Sequence, residues 1–415
     1  MIIGLRIFLV HAMTINQPVR CWVPQIIIIL FTTLVLTTSD LAAQASTSRS
    51  SQTISIGGEP VVILKRPRLS DRSKPQFLEL SEMPGRGMAW LQVRAYVPGK
   101  GEIDLLYAPP LAQAEKLLNK EDDEFGNGVF KIGGAILLPY ANRIRGKLSP
   151  DGKTITAIVA GRSVVLPASW SSGKPGAEKH AIHGLMLRAK FQDVKEKHTD
   201  DAFGVSAVLH AGNFGGHWFS QTDVTVETRL ADDSVEMSVT AKNVGQQTLP
   251  MGIGWHPYFA LPSGDRKQVR LHIPSDTRAV MNNYDDTFVT GQRVAVRGTP
   301  YDFDAPGGRA LGDQYLDDSY SALERRPDGS TISEIIDPAA KYGLRLITES
   351  SDIRAIQVYA PPAKNFVAIE PQFNFPDPYN RGWGRVNTGM ILLEPGQWAE
   401  WSVRLELFTP NANVH

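Results

Sequence analysis

Four short segments of the 415-residue chain gather side chains that can move protons or hold hydroxyl groups. The first is Pro139-Tyr140-Ala141-Asn142-Arg143-Ile144-Arg145-Gly146, just after the pair Gly133-Gly134. Asn142 and Arg143 could hold a polar ligand there, although by residue type alone the segment also reads as an exposed basic turn. The second is His183-Gly184, a ligand-binding histidine or a capping or core one. In the third, Gly252-Ile253-Gly254-Trp255-His256-Pro257-Tyr258-Phe259, a group that titrates near neutrality stands among aromatic rings. That combination suits a sugar, whose ring has CH faces and hydroxyl edges, and the alternative is a buried aromatic corner. The fourth is Val367-Ala368-Ile369-Glu370-Pro371-Gln372, where an acid ends an apolar run. A carboxylate is expensive to bury unless it is paired or functional, so Glu370 is a candidate functional residue.

Strands must position these residues, because period-two alternation dominates the chain. It is clear in Val224-Thr225-Val226-Glu227-Thr228, in Val235-Glu236-Met237-Ser238-Val239, and again in Trp401-Ser402-Val403-Arg404-Leu405-Glu406-Leu407. Turn signals punctuate the strands at Asp151-Gly152, Asn243-Val244-Gly245, Pro262-Ser263-Gly264-Asp265 and Pro327-Asp328-Gly329. One segment reads as a helix, Pro109 to Glu124, with Leu111, Ala114, Leu117 and Leu118 on one face. Many short strands without βαβ alternation or internal repeat predict an all-β fold, a large sandwich with very little helix, as one domain over 54–415.

The first 45 residues read as a signal peptide. An apolar run at 26–36 follows two positive charges, Arg6 and Arg20, and precedes Leu41-Ala42-Ala43-Gln44-Ala45, which fits cleavage after Ala45. Met13 offers a second possible start. Eleven apolar residues fall short of the roughly 20 that span a membrane, so the expectation is a secreted or periplasmic protein with no stable membrane association after cleavage. Residues 46–53 are Ser/Thr-rich and read as a flexible linker. Cys21, the single cysteine, lies in the signal, which leaves the mature chain without thiol or disulfide. Charge balances at 43 basic and 43 acidic residues, and removal of Arg6, Arg20 and Asp40 leaves 41 and 42. No electrostatic footprint for nucleic acid or an anionic membrane exists, and a neutral small-molecule partner is expected.

In order along the chain, Ala141-Asn142-Arg143-Ile144, His183-Gly184, His256-Pro257-Tyr258-Phe259, Leu316-Asp317-Asp318-Ser319-Tyr320 and Glu370-Pro371-Gln372 with Pro376-Asp377 resemble the aldose 1-epimerase (galactose mutarotase) family. The resemblance spans about Phe130 to Leu407. It implies a β-supersandwich with one open sugar cleft, a free aldose as substrate, and no metal or organic cofactor. It further implies Glu370 as general base, His256 as general acid, and Arg143, His183 and Asp317 as residues that hold sugar hydroxyls, with Asp318 one position away. Asn142, Trp255 and Tyr258 join them as expected substrate contacts. The chain departs from the galactose-type pattern where Gly254-Trp255 stands before the histidine and Leu185 follows His183-Gly184. Those departures bear on which sugar is preferred.

The chemistry also follows from the side chains themselves. Mutarotation removes a proton from the anomeric hydroxyl and gives one to the ring oxygen, so one base and one acid suffice. Three other readings remain open from sequence. A glycoside hydrolase would need two facing carboxyl groups, such as Asp317 and Glu370. A non-catalytic carbohydrate-binding protein would need neither acid nor base. A sugar-phosphate epimerase could use Arg143, Arg145 and Lys147, which otherwise form a solvated basic turn. The pairs His180/His183 and His210/His217 lack a full ligand set at structural-zinc spacing, so no metal is expected.

Overall fold

Strands that alternate in polarity bury one face each, and here they bury it against one another. The structure, a computed structural model, describes residues 53–410 apart from Asp285 and Pro306. The expected signal peptide at 1–45 and all but the last residue of the expected linker at 46–53 therefore lie outside the described residues. Among the described residues the strands collect into two large antiparallel sheets, of nine and eleven strands, with small two- and three-stranded ribbons at the margins. This is the all-β supersandwich expected from sequence, and the described residues form one unit.

The three strands read from alternation lie side by side in the nine-stranded sheet, as Thr222–Leu230, Ser234–Asn243 and Trp398–Phe408. Their register pairs Val226 with Val239 and Met237 with Val403, so the apolar sides share one face. That face meets the apolar side of the eleven-stranded sheet. Trp90, Trp255, Phe259, Tyr320 and Ile356 from the latter join Val224, Val239, Trp401 and Leu405 from the former in one core. Burying such side chains contributes about 1.5–3 kcal/mol each, which makes this interface the main source of stability.

A second apolar cluster covers part of the other face of the eleven-stranded sheet. The helix belongs to it and runs over Leu111–Leu118, shorter than the 109–124 expected. Ala114 and Leu118 are buried in the cluster and Leu111 packs beside it, whereas Leu117 is exposed. The helix stops because Asn119 leaves it. Its side chain accepts from the Gly57 amide and donates to the Ser55 carbonyl, and the charged run that follows turns through Asp123 to reach the Gly128 amide. Just beyond, the turn Val129–Lys131 carries Phe130 toward the open part of the face, where the next strands leave a depression.

Candidate active site

Five neighbouring strands of the eleven-stranded sheet form the floor of that depression. In spatial order they are Leu316–Leu323, Ala355–Ala360, Phe366–Gln372, Gly254–Ala260 and Gly134–Leu137. Side chains alternate across a strand, so register decides which residues share the floor. Gly254 pairs with Gln372 and Tyr258 with Ala368, which sets His256 across from Glu370 between them. Glu370 in turn pairs with Gln357, and Asp317 with Tyr359. His256, Tyr258, Glu370, Gln357 and Asp317 thus project to one side, into a cleft of about 550 Å³.

The same parity corrects one expectation. Trp255 precedes His256 and points the other way, where its indole is wholly buried against Trp90 at 5.1 Å and Phe259 at 5.9 Å. It packs the core and does not line the cleft. Gly134 beside it has no room for a side chain, since a Cβ there would meet the Trp255 indole at 2.6 Å. Parity also separates the adjacent aspartates. Asp317 lines the cleft, while Asp318 is turned away and fully buried, 2.8 Å from the Arg278 guanidinium.

Two unusual backbone conformations bring in the remaining residues. Asn142 (φ 60°) and His183 (φ 57°) both occupy the left-handed region, which costs a non-glycine residue on the order of 1–3 kcal/mol and is held only where surroundings enforce it. The His183 amide donates to the Asn142 carbonyl at 2.9 Å, and the strands Arg143–Ile144 and Ala181–Ile182 pair directly. Gly184 (φ 78°) follows because a Cβ would lie 2.2 Å from the Leu138 carbonyl oxygen. Asn374 clamps the loop from behind: its side chain accepts from the Ala141 amide at 3.0 Å and donates to the Ala141 carbonyl at 2.9 Å. Asp377 accepts from the Arg145 amide at 3.2 Å and its own amide donates to the Arg143 carbonyl.

Within the cleft the His256 Nε2 lies 3.3 Å from the Glu370 Oε1. Gln372 donates to the other Glu370 oxygen at 3.0 Å. His183 stands edge-on to His256 at 5.0 Å between ring centres, Tyr258 stacks on it at 4.8 Å, and Phe130 closes over both histidines. Asp317 contacts Arg143 at 3.6 Å and accepts from Gln357 at 2.6 Å. Gln357 accepts from Asn142 at 3.2 Å, and Asn142 accepts from the Arg143 guanidinium at 3.0 Å. Seven of the eight residues expected from sequence therefore meet in one place, and Trp255 is the exception.

Sequence reasoning passed over Gln357 and Asn374. A lone amide inside the apolar run Ala355-Ile356-Gln357-Val358 was the available signal for the first. For Asn374 there was none, since its role appears only when residues 233 positions apart meet. The histidines of the two pairs weighed for a metal make other contacts. His180 packs on Phe288 at 4.7 Å and His210 contacts Asp223 at 2.8 Å. The basic turn beyond Arg143 is partly tied down, with Arg145 bonded to Glu178 at 2.6 Å and Lys147 exposed.

Burial sets the proton positions. It pushes Glu370 well above the usual carboxylate range, with Asp317 adding repulsion, and pulls His256 down to about 3. His183 is also driven well below its ordinary value, first by burial and then by His256 and Arg143. The two directions agree for the pair: a buried acid and a buried imidazole share one proton most cheaply when neither is charged. Several buried polar atoms without a protein partner gather here as well, among them His183 Nδ1, His256 Nδ1, Arg143 Nε and Gln372 Oε1. Such groups cost free energy unless a polar ligand meets them, and a polyhydroxyl ring could meet several at once.

Comparison with known proteins bears on the family and the fold. The family model described as aldose 1-epimerase matches residues 107–406. An uncharacterized protein, YphB, of Escherichia coli K12 is 25% identical over 281 residues, 65% of this chain and 82% of that protein. Among solved structures, a galactose mutarotase-like protein from Clostridium acetobutylicum has a TM-score of 0.65 at 18% identity and covers 84% of this chain and 99% of its own. A galactose 1-epimerase from Lactobacillus acidophilus gives 0.58 at 14%, covering 85% and 99%. With most of its length matched, the chain belongs to the aldose 1-epimerase family.

Proposed function

We propose that this member of the aldose 1-epimerase family is a mutarotase that interconverts the α and β anomers of a free hexose. One observation carries the reading: a carboxyl group and an imidazole, both buried, stand 3.3 Å apart on the floor of a cleft lined with hydroxyl-binding groups. Glu370 takes the proton of the anomeric hydroxyl and His256 gives one to the ring oxygen. The C1–O5 bond breaks, C1=O1 forms, rotation about C1–C2 presents the other aldehyde face, and the reverse transfers close the ring. After opening, Glu370 is protonated and His256 neutral, the arrangement that burial favours, so the site stabilises the state reached by the first transfer. In the free protein the shared proton rests on Glu370 and crosses the 3.3 Å contact to His256 before the first transfer, and the reverse transfers on closure return the pair to that carboxylate–imidazolium form.

Arg143, Asn142, His183 and Asp317 hold the sugar hydroxyls, and Tyr258 supplies an apolar face. Asp317 is engaged by Arg143 and Gln357, which counts against its use as the second carboxyl of a glycosidase. Export with cleavage after Ala45 belongs to the same proposal. N-terminal sequencing of the protein recovered from its native host is expected to begin at Ser46, and a start at Met1 or Met13 would refute it.

The test is polarimetry of freshly dissolved α-glucose and α-galactose with residues 46–415 and with Glu370→Gln. Acceleration by the wild type alone is expected. Release of reducing ends from a glycoside, or binding without turnover of any free sugar, would overturn the reading.

A further inference from the structure

A carboxyl group has two oxygens, and the way each is held decides where its proton sits. His256 Nε2 lies 3.3 Å from the Glu370 Oε1, while Gln372 Nε2 donates to the Glu370 Oε2 at 3.0 Å. An amide nitrogen donates and never accepts, and a carboxyl group accepts best at its unprotonated oxygen. The proton that Glu370 keeps is thereby steered to Oε1, facing His256.

The surroundings of Gln372 are built to hold it there. Two residues beyond Glu370, it falls on the same side of the strand Phe366–Gln372, and it is wholly buried. Room for it comes from Gly254 across the sheet, where a Cβ would lie 3.1 Å from the Gln372 Cγ and 2.9 Å from the Ala141 Cβ. Asn374 fixes Ala141 through its amide and its carbonyl, so the glutamine is wedged between the cleft floor and the loop that carries Asn142 and Arg143. Among the described residues its own Oε1 has no hydrogen-bond partner. A buried acceptor left unmet costs free energy, and a methionine would fill the same space without that cost. Packing alone therefore does not account for an amide at this position; its donor does.

The charges around Glu370 show what the donor changes. His256 faces it from the strand Gly254–Ala260 with Tyr258 stacked behind, Asp317 from Leu316–Leu323, and Arg143 from the loop. Burial and Asp317 strengthen its hold on a proton, while Arg143 and the Gln372 bond oppose them. A hydrogen bond to a carboxylate is stronger than one to the neutral acid, so the amide favours the form in which the shared proton has crossed to His256.

We propose that Gln372 is a positioning residue for the proton couple: its amide holds the Glu370 carboxyl group with Oε1 toward His256 and stabilises the carboxylate that takes the anomeric proton. This deepens the mutarotase reading and rests on it.

Gln372→Met keeps the volume and removes the donor. Its kcat is expected to fall about ten- to a hundredfold, the range for a hydrogen bond to a charged group, with KM changing less than about twofold because Asn142, Arg143 and Asp317 keep their contacts. Loss of the bond also tightens the hold of Glu370 on its proton, so the alkaline limb of kcat/KM is expected to move up by about one to two pH units, the same factor expressed as acidity. An unchanged kcat, or a rise in KM at constant kcat with the limb in place, would mean that Gln372 only supports the Asn142 loop and would overturn the proposal. The wild type gives a reading that does not depend on how the variant folds. In isotope-labelled protein followed by NMR, the Gln372 side-chain amide proton is expected to move downfield as pH rises through that limb, since its bond to Oε2 strengthens when Glu370 loses the proton. A resonance that stays fixed overturns the proposal as well. Failure of the wild type to mutarotate any free aldose would sink the mutarotase reading, while the amide titration would still decide which oxygen carries the proton.

Discussion

Two glutamates of the eleven-stranded sheet are fully buried on opposite faces of it, and the same physics acts on both. Glu370 opens onto the cleft, and Glu82 faces the other sheet, where it accepts from the Thr228 hydroxyl at 3.1 Å. Burial raises both, Glu82 to about 8. What differs is company. Glu370 has an imidazole at 3.3 Å and space for a ligand, whereas Glu82 has a hydroxyl, the Trp90 indole and packed side chains. A displaced carboxyl therefore marks a desolvated place, and becomes chemistry only where a second proton carrier and a substrate can reach it.

The sharpest way to break this comparison is to neutralise each acid in turn. Glu370→Gln is expected to lower kcat by about 10²–10⁴-fold, the usual range for one proton transfer, with Tm nearly unchanged. His256→Asn should fall in the same range, and the double variant should be little worse than either, because the pair acts as a unit. In the wild type His256 is depressed to about 3, so kcat/KM should stay level as pH falls through 6.5 and decline only well below it. Glu82→Gln should leave turnover at the wild-type level, and a hundredfold loss there would dissolve the distinction.

Adjacent aspartates sharpen it next. Asp318→Asn weakens a buried pair with Arg278 and should cost about 3 kcal/mol by chemical denaturation. Asp317→Asn, on the cleft side, should instead raise KM with a smaller stability change. Exchanged outcomes would mean that the strand register is one residue out.

These neighbours show what was legible in the sequence. His256 and Glu370 stood out because titratable groups sat in runs otherwise apolar or aromatic, whereas Arg143, in a segment that also reads as an exposed basic turn, was singled out by the family resemblance. Parity was not readable at Trp255 or Asp317, because both faces of those strands are buried and hydrophobicity no longer alternates. The core strands over Val224, Val235 and Trp401 were readable since one side of each stays polar. The helix was overextended because its charged tail continues a plausible helical composition, while Asn119 is taken by the Ser55 segment, a contact between residues 64 positions apart.

Glu82 also predicts how stability responds to pH. Its folded value, about 8, lies above the ordinary 4.5, so the folded state keeps a proton that the unfolded state releases. The contribution is complete below 4.5 and declines as pH rises toward 8, by an amount on the order of a few kcal/mol. Denaturation of the wild type and of Glu82→Gln across that interval should give a difference that shrinks or reverses with rising pH. A constant difference would mean that Glu82 is ionised in the core.

Gln357 tests the finest part of the contrast, since it faces the cleft yet touches the proton pair only through strand register. It donates to Asp317 and accepts from Asn142, and so fixes two groups expected to hold sugar hydroxyls. Gln357→Leu removes both bonds and leaves a buried carboxyl and a buried amide less satisfied, at a cost of about 1–3 kcal/mol. If the amide acts by positioning, KM should rise about tenfold while kcat and its pH profile hold, because the proton couple is untouched. A fall in kcat at constant KM would instead place Gln357 against the charge that develops during ring opening, and the cleft floor would then act as one unit rather than as a proton couple flanked by hydroxyl holders.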